Sequence, residues 1–437
     1  MVDWKMGQRV GMLFCAVMIG CGATPTASDE LVKETPAKRE QVLVAMSAEL
    51  DRSLASLKFK DYVAPYFVAY RLKDIEQRSI TGKFGSIIAD EEDRQRYVYT
   101  EVRVGDYGFD NHANIDNEAF RLSDYQADKR APLDENLKAI RGTLWLLTDE
   151  AYKKALSDYL TKKGGAVYAT EEKTDVDSFS KETPETFRGA VTPIDFDDEM
   201  WSEQVQVLTK KMRDANGILD AIMDVGVTKT TRYLVTSEGT SIVDDLVIYS
   251  IQLEAMTRAD DGMALESSRT FYARSQDKLP DPKALEAEVD QMLRELQALR
   301  AAPVIDPYTG PAILMPQAAG VLFHEAVGHR LEGERQQDEE EGRTFKGRIG
   351  KTVIPEFLSV FDDPTLETHS GVQLNGTYRY DDEGVPAERA SLIGAGKLQG
   401  FLKSRTPIEG SPGSNGHGRA RITRLPPGGE GRRPAIL

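Results

Sequence analysis

Two of the chain's five histidines, His324 and His329, lie in the stretch AAGVLFHEAVGHRLEGE, with Glu325 beside the first. Neutral imidazoles are good zinc ligands, and an open position on the ion holds water whose pKa the metal lowers. A nearby carboxylate can then serve as general base, the part the glutamate plays in HExxH. Here the second histidine follows the first by five residues, so the pattern is HExxxH. On a regular α-helix, residues four apart differ by about 40° around the axis and residues five apart by about 140°. Such a helix cannot aim both rings at one ion. A π-type turn would realign them, and Gly328 would ease that distortion because it lacks a Cβ. A helix that ends after His324 would serve equally well. On spacing alone, coincidence or a purely structural role remains the commoner origin of such a cluster.

Other residue groups carry less chemistry. Ser237-Glu238-Gly239 is no nucleophile elbow, since Val235 stands where a glycine is required. No phosphate-cradling GxxxxGK[ST] loop occurs. The acidic run Asp338 to Glu341 reads as a solvated loop, and Asp381-Asp382-Glu383-Gly384 as a hairpin turn.

The elements that would position the histidines follow from periodicity. Leu43, Met46, Leu50, Leu54 and Leu57 recur at helical steps, and after Pro65 the pattern becomes strand-like, with Val98, Thr100, Val102 and Val104 sharing a face. Residues 133–162 read as a helix ended by Lys162-Lys163-Gly164-Gly165, and the polar stretch 163–195 as loop. Alternation returns at TRYLVTSEGT and at LVIYSIQLEAM, where Val247, Tyr249, Ile251 and Leu253 share a face. Leu285, Val289, Met292, Leu296 and Leu299 then mark a helix with a core-facing stripe. AAPVIDPYTGP, residues 301–311, is Pro- and Gly-rich and marks a domain boundary. Beyond it, one helix around His324 is followed by strand-like segments. Helices and strands mix without regular βαβ alternation, which points to an α+β fold: a mixed α/β N-terminal domain, then a β-rich C-terminal domain carrying the HExxxH helix.

With 437 residues, 40% of them hydrophobic, the chain can bury large cores, and its length suits two or three domains. The net charge of −16, with no basic concentration, argues against nucleic-acid binding. The first residues read as an export signal: Lys5 and Arg9, a short apolar run, then Met18-Ile19-Gly20-Cys21, which resembles a lipoprotein signal whose cysteine is lipidated. The run is too short to span a membrane. Cys15 and Cys21 both lie in this segment, so the rest of the chain has no disulfide and no thiolate ligand.

The stretch GPAILMPQAAGVLFHEAVGHRLEGERQ, followed by EEEGRTFKGRIGKTVIPEFLSVFDDPT, LNGTYRYDDEGVPAERASLIGAGKLQGFLKSRTPIEG and SNGHGRA, closely resembles the TldD/PmbA family of metalloproteases, in its metal-bearing, TldD-like branch. Similarity in 40–300 is looser, carried by features such as VTSEGT. The resemblance implies Zn2+ held by His324 and His329, Glu325 as catalytic base, and hydrolysis of short or unfolded peptides. It also implies a homodimer or a heterodimer with a related subunit. In the family a downstream cysteine supplies a third ligand; this chain has none after Cys21. His369 and His417 are candidates to replace it, although the Gly-rich NGHGR surroundings of His417 suit a substrate cleft or a turn better. The ending RITRLPPGGEGRRPAIL does not read as a folding element and suggests truncation or a frameshift. The expected organisation is a lipoprotein-like signal peptide (1–21), a tether (22–38), an N-terminal α/β domain (39–302) and an incomplete C-terminal metallopeptidase domain (303–437). The expected location is periplasmic or membrane-anchored, with the membrane reached only through the lipid. An inactive truncated copy, acting as a partner subunit or peptide-binding lipoprotein, is the alternative.

Overall fold

The computed structural model describes residues 34–59, 61–112, 128–134, 136–168, 176–337 and 343–419. The expected signal peptide, most of the tether, the acidic run from Asp338 and the Arg/Pro/Gly-rich ending lie outside the described residues.

The main sheet is built from four long strands: β1 (Pro65–Lys83), β2 (Ser86–Val104), β5 (Asp220–Thr236) and β6 (Ser241–Arg258). Short β3 (Asp128–Arg130) and β4 (Thr186–Arg188) and the longer β7 (Ala264–Ala273) complete it. The order is β3-β2-β1-β5-β6-β4, with β7 also pairing β6; β4 runs parallel to β6 and the remaining pairs are antiparallel. The strand signals at YFVAYRL and RYVYTEVRV are thus the ends of one long hairpin. Its turn places Phe84 at φ 55° and Gly85 at φ 85°, the pair of positive values a two-residue hairpin turn requires.

One face of this sheet is apolar because alternation puts Val68, Tyr70 and Leu72 beside Val98 and Val102, and Val225 and Val227 beside Tyr249 and Ile251. Helices α1 (Pro36–Ser56) and α2 (Leu137–Tyr168) cover its first half. Helices α3 (Asp198–Asp214) and α4 (Pro282–Ala301) cover the second. The predicted α4 stripe is buried from Leu285 to Leu296, while Leu299 is half exposed; Asp281 caps the helix by accepting the Ala284 N–H.

Three expectations change. Helix α2 runs through Gly164 and Gly165 to Tyr168. Two glycines cost about 1 kcal/mol each, which a 32-residue helix anchored by buried Ile140, Leu144 and Leu147 absorbs. The stretch 163–195 is not all loop, since it holds the end of α2 and β4. Helix α3 was not anticipated, although Trp201, Val205, Leu208 and Met212 recur at helical steps and are all buried.

The opposite face is ionic at its centre. It receives Phe179 and the C-terminal residues Tyr380 to Glu383 and Arg405. Arg405, 2% exposed, stacks over Phe179 with its guanidinium carbon 4.0 Å from the ring centre, and it pairs with Glu238 at 2.7 Å. Chain 303–315 is exposed and without regular structure, as the Pro/Gly composition suggests. Beyond it come α5 (Pro316–Ala326), tight 3-10 turns, and a three-stranded sheet of β8 (Val360–Asp362), β11 (Ala390–Gly394) and β12 (Lys397–Leu398). A two-stranded ribbon, β9 (Thr368–His369) and β10 (Val372–Gln373), completes the described strands there. Leu331, Phe345, Leu392, Ile393, Leu398 and Leu402 form a separate small core. These strands are only two to five residues long, so irregular backbone dominates the part expected to be β-rich.

Candidate metal centre

Helix α5 delivers His324 and Glu325 on its last turn and then stops. Val327 has φ −124° and ψ −47°, away from helical values, and a 3-10 turn over Gly328–Leu331 carries His329. Of the two routes open to HExxxH, the chain takes the helix end, not the π-type turn. Arg330 closes the helix by donating from Nη1 to the carbonyls of Glu325 and Ala326 at 2.9 and 2.6 Å, satisfying oxygens the helix leaves orphaned. Gly328 has no positive φ, and a Cβ there would meet only the Phe323 carbonyl at 3.8 Å. Its glycine character is therefore not what brings the rings together.

The histidine rings lie 4.4 Å apart between centres, at 71° to each other. Glu325 sits between them, 3.9 Å from His324 Nε2 and 3.6 Å from His329 Nε2. Potential ligand atoms of all three residues fall within 4.8 Å of one another. Two imidazole nitrogens suit zinc, and a carboxylate beside them can serve as a general base.

A fourth residue, missed from the sequence, completes the arrangement. Glu332 is buried at 6% exposure and places Oε1 2.6 Å from His329 Nδ1, while Arg335 pairs with its other oxygen. An ionised carboxylate can only accept, so Nδ1 donates and the Nε2 lone pair is left facing His324 and Glu325. The turn holding Glu332 is fixed to the small core by Leu402 N–H donating to the Leu331 carbonyl and Gly333 N–H to the Leu402 carbonyl, both at 2.8 Å. The sequence signal was present as the second acid of HRLEGE, three residues past His329. The N-terminal part of the chain also reaches this region, with His112 Nε2 3.9 Å from Glu334.

The other histidines do not join the group. His369 is exposed on β9. His417 is 3% exposed; its Nδ1 faces the Asn415 carbonyl at 2.8 Å and its Nε2 faces Asp362 at 3.0 Å. It belongs to neither the metal-capable group nor an open cleft. Asp381 to Gly384 do form a turn, with Gly384 at φ 84°, but its acids are buried against the sheet. Ser237 Oγ accepts the Val68 N–H, a structural role.

Residues 307–429 match the PmbA/TldA metallopeptidase C-terminal domain. A metalloprotease of Methanocaldococcus jannaschii is 27% identical over 265 residues, 59% of this chain and 53% of that protein. A zinc metalloprotease TldD homologue of Saccharolobus solfataricus is 32% identical over 122 residues, 27% of this chain and 26% of that protein. The chain thus spans about half, or less, of these curated relatives. The solved structure of TldE from Thermococcus kodakarensis shares the fold, with TM-score 0.53 and 17% identity, over 90% of this chain and 76% of that one. Together the findings show likeness to the PmbA/TldD family of metallopeptidases, with the family model confined to residues 307–429. The α+β class agrees with that structural match.

Proposed function

We propose that this chain is a zinc-dependent metallopeptidase acting on short or unfolded peptides. The observation that carries the reading is the convergence of His324, His329 and Glu325 at the broken end of α5. His324 and His329 would hold the ion through ring nitrogens, with Glu332 keeping His329 in the tautomer that presents Nε2. When bound, zinc polarises a peptide carbonyl and makes water a better nucleophile at neutral pH. Glu325 accepts a proton from the attacking water at a carboxylate oxygen and delivers it to the leaving amine. The side chain is 64% exposed, and around it Val321, Leu322 and Phe323 present apolar surface that suits an extended, unstructured peptide.

The test is a pair of measurements on purified protein. Zinc content should be near one ion per chain, and an unstructured reporter peptide should be cleaved. Glu325→Ala should lower cleavage by at least a hundredfold while retaining zinc. Cleavage that persists in Glu325→Ala rules out the proposed role.

A second reading is a non-catalytic partner subunit or peptide-binding lipoprotein. What favours it is that, among the described residues, the metal-capable group ends at two imidazoles and one carboxylate. Protein that is free of zinc after gentle purification supports this reading. Export, the lipid anchor and a dimer with itself or a related chain remain part of the proposal, each open to membrane fractionation or mass measurement in solution.

A further inference from the structure

We propose that loop 346–351, together with Lys397, is a docking surface that selects peptides carrying acidic side chains. The inference names a substrate class for the peptidase reading and rests on it.

The sequence concentrates positive charge here. Residues 343–351, RTFKGRIGK, hold four cations and no acid, in a chain whose net charge is −16. Lys346, Arg348 and Lys351 are all exposed, and so is Lys397 on β12. Among the described residues none of these four side chains makes an ion pair or a hydrogen bond. Glu356, whose backbone packs on Gly396 beside Lys397, pairs with none of them. Exposed lysines on the helices are matched instead: Lys153 pairs with Asp149 at 2.6 Å and Lys210 with Asp214 at 2.9 Å.

Backbone hydrogen bonds pin the loop. Gly347 and Gly350 take φ of 65° and 77°, left-handed values that let two tight turns follow in succession. Arg348 N–H donates to the Phe345 carbonyl at 3.1 Å, and Lys351 N–H to the Arg348 carbonyl at 2.9 Å. Gly350 N–H reaches the Leu398 carbonyl at 2.8 Å, and Leu398 N–H returns to the Lys351 carbonyl at 3.0 Å. Thr352 bridges to Lys397, which sets the fourth cation beside the loop. Charges on an ordered backbone bind at a lower entropic cost than charges on a mobile one.

The loop starts beside the metal centre. Phe345, directly before Lys346, is buried and shares the small core with Leu331, two residues past His329. The turn Arg343–Phe345 packs on the turn Gly328–Leu331 that carries His329. A peptide extended across His324, Glu325 and His329 advances about 3.3 Å per residue, so residues flanking the scissile bond come onto neighbouring surface of this kind. Carboxylates there meet several unmatched cations at once. Together such contacts amount to roughly tenfold in affinity at low salt and are screened as salt rises.

The experiment uses the full chain and three labelled, unstructured peptides that share a central apolar segment. Their flanks carry Glu, Gln or Lys. Binding is followed by fluorescence anisotropy with a chelator present, and cleavage is followed separately with zinc added. The expected result is that the Glu peptide binds roughly tenfold more tightly than the Gln peptide at low salt, with the difference shrinking by about 0.5 M salt. The net charge of the chain alone would favour the Lys peptide, so the sign of the preference is decisive. Lys346→Gln/Arg348→Gln/Lys351→Gln should remove the preference while leaving Gln-peptide binding and the circular dichroism spectrum unchanged. If that variant does not fold, Lys346→Gln/Lys397→Gln should reduce the preference in the same direction. Acid-selective binding without cleavage of any peptide sinks the peptidase reading and leaves this inference standing. Equal binding of the Glu and Gln peptides, or an unchanged preference in the folded triple variant, overturns it even where all three peptides are cleaved. Preference that appears only once Asp338, Glu339, Glu340 and Glu341 are neutralised means that the chain's own acids occupy the loop. A salt-sensitive dimer lost in the triple variant, with no peptide preference, means that a second copy does. Either of these results also overturns the inference.

Discussion

At the scale of single residues, the candidate centre depends on which nitrogen of His329 is free. The Glu332 carboxylate contacts Nδ1 at 2.6 Å, so the ring has one orientation and one useful tautomer. Glu332→Gln keeps an oxygen able to accept the Nδ1 proton but removes the charge that makes the bond strong. The expected outcome is zinc affinity weakened by roughly 10- to 100-fold, measured by competition with a chromogenic chelator. Unchanged affinity would mean that Glu332 only packs the turn. Because Arg335 is about a third exposed, losing its partner there should cost little stability. From the sequence, His324, Glu325 and His329 were legible as a group because the stretch HEAVGHRLEGE resembles a known family, while their spacing alone favoured coincidence. Glu332 was not, since one more acid in a charged stretch carries no mark of burial.

At the scale of elements, the positive-φ glycines set a sharper requirement than Gly328 does. Gly384 holds φ 84°, and a Cβ there would come within 2.8 Å of Leu234 Cδ2 and 2.9 Å of Thr240 Cγ2. Gly384→Ala should therefore destabilise by about 2 kcal/mol or more, from left-handed strain of about 1–2 kcal/mol plus the contacts. Gly328→Ala should change stability by less than about 1 kcal/mol and spare zinc binding, since its site is open and its backbone ordinary. Urea midpoints of the two variants check both statements, and equal losses would contradict them. The elements themselves were readable wherever one face is buried: Val247 to Leu253 and Leu285 to Leu296 keep their period because a core enforces it. Between residues 73 and 96 both sides of the β1–β2 hairpin are partly open and charged, so long strands there left little apolar alternation to read. In the C-terminal part, small strands joined by tight turns leave few periods to detect, and the family resemblance was informative where periodicity was not.

At the scale of the molecule, buried charges within the sheet and between the sheet and the C-terminal residues make stability depend on pH in two opposing ways. Glu34 and Glu101 have pKa values lowered to about 2; burial alone would raise them, but Arg39 and Lys229 at the first, and Arg103 and Arg71 at the second, outweigh it. Their stabilisation is complete above the unfolded glutamate value of about 4.3 and is lost as pH falls toward 2. Asp381 and Glu383 behave oppositely. Burial raises both, reinforced for Asp381 by the Glu383 charge and for Glu383 by Glu101. A raised carboxyl keeps its proton in the fold where the unfolded chain has released it, so this pair costs stability as pH climbs above about 4. The melting temperature should accordingly be highest at about pH 4 to 5 and decline in both directions. Glu383→Gln separates the two limbs, because its amide oxygen can still accept the Arg405 N–H that Glu383 accepts at 2.7 Å. The variant should flatten the decline between about pH 5 and 8 and leave the acid limb, set by Glu34 and Glu101, in place. A decline equally steep in Glu383→Gln would place its origin elsewhere than in the buried acids that seat the C-terminal residues on the sheet.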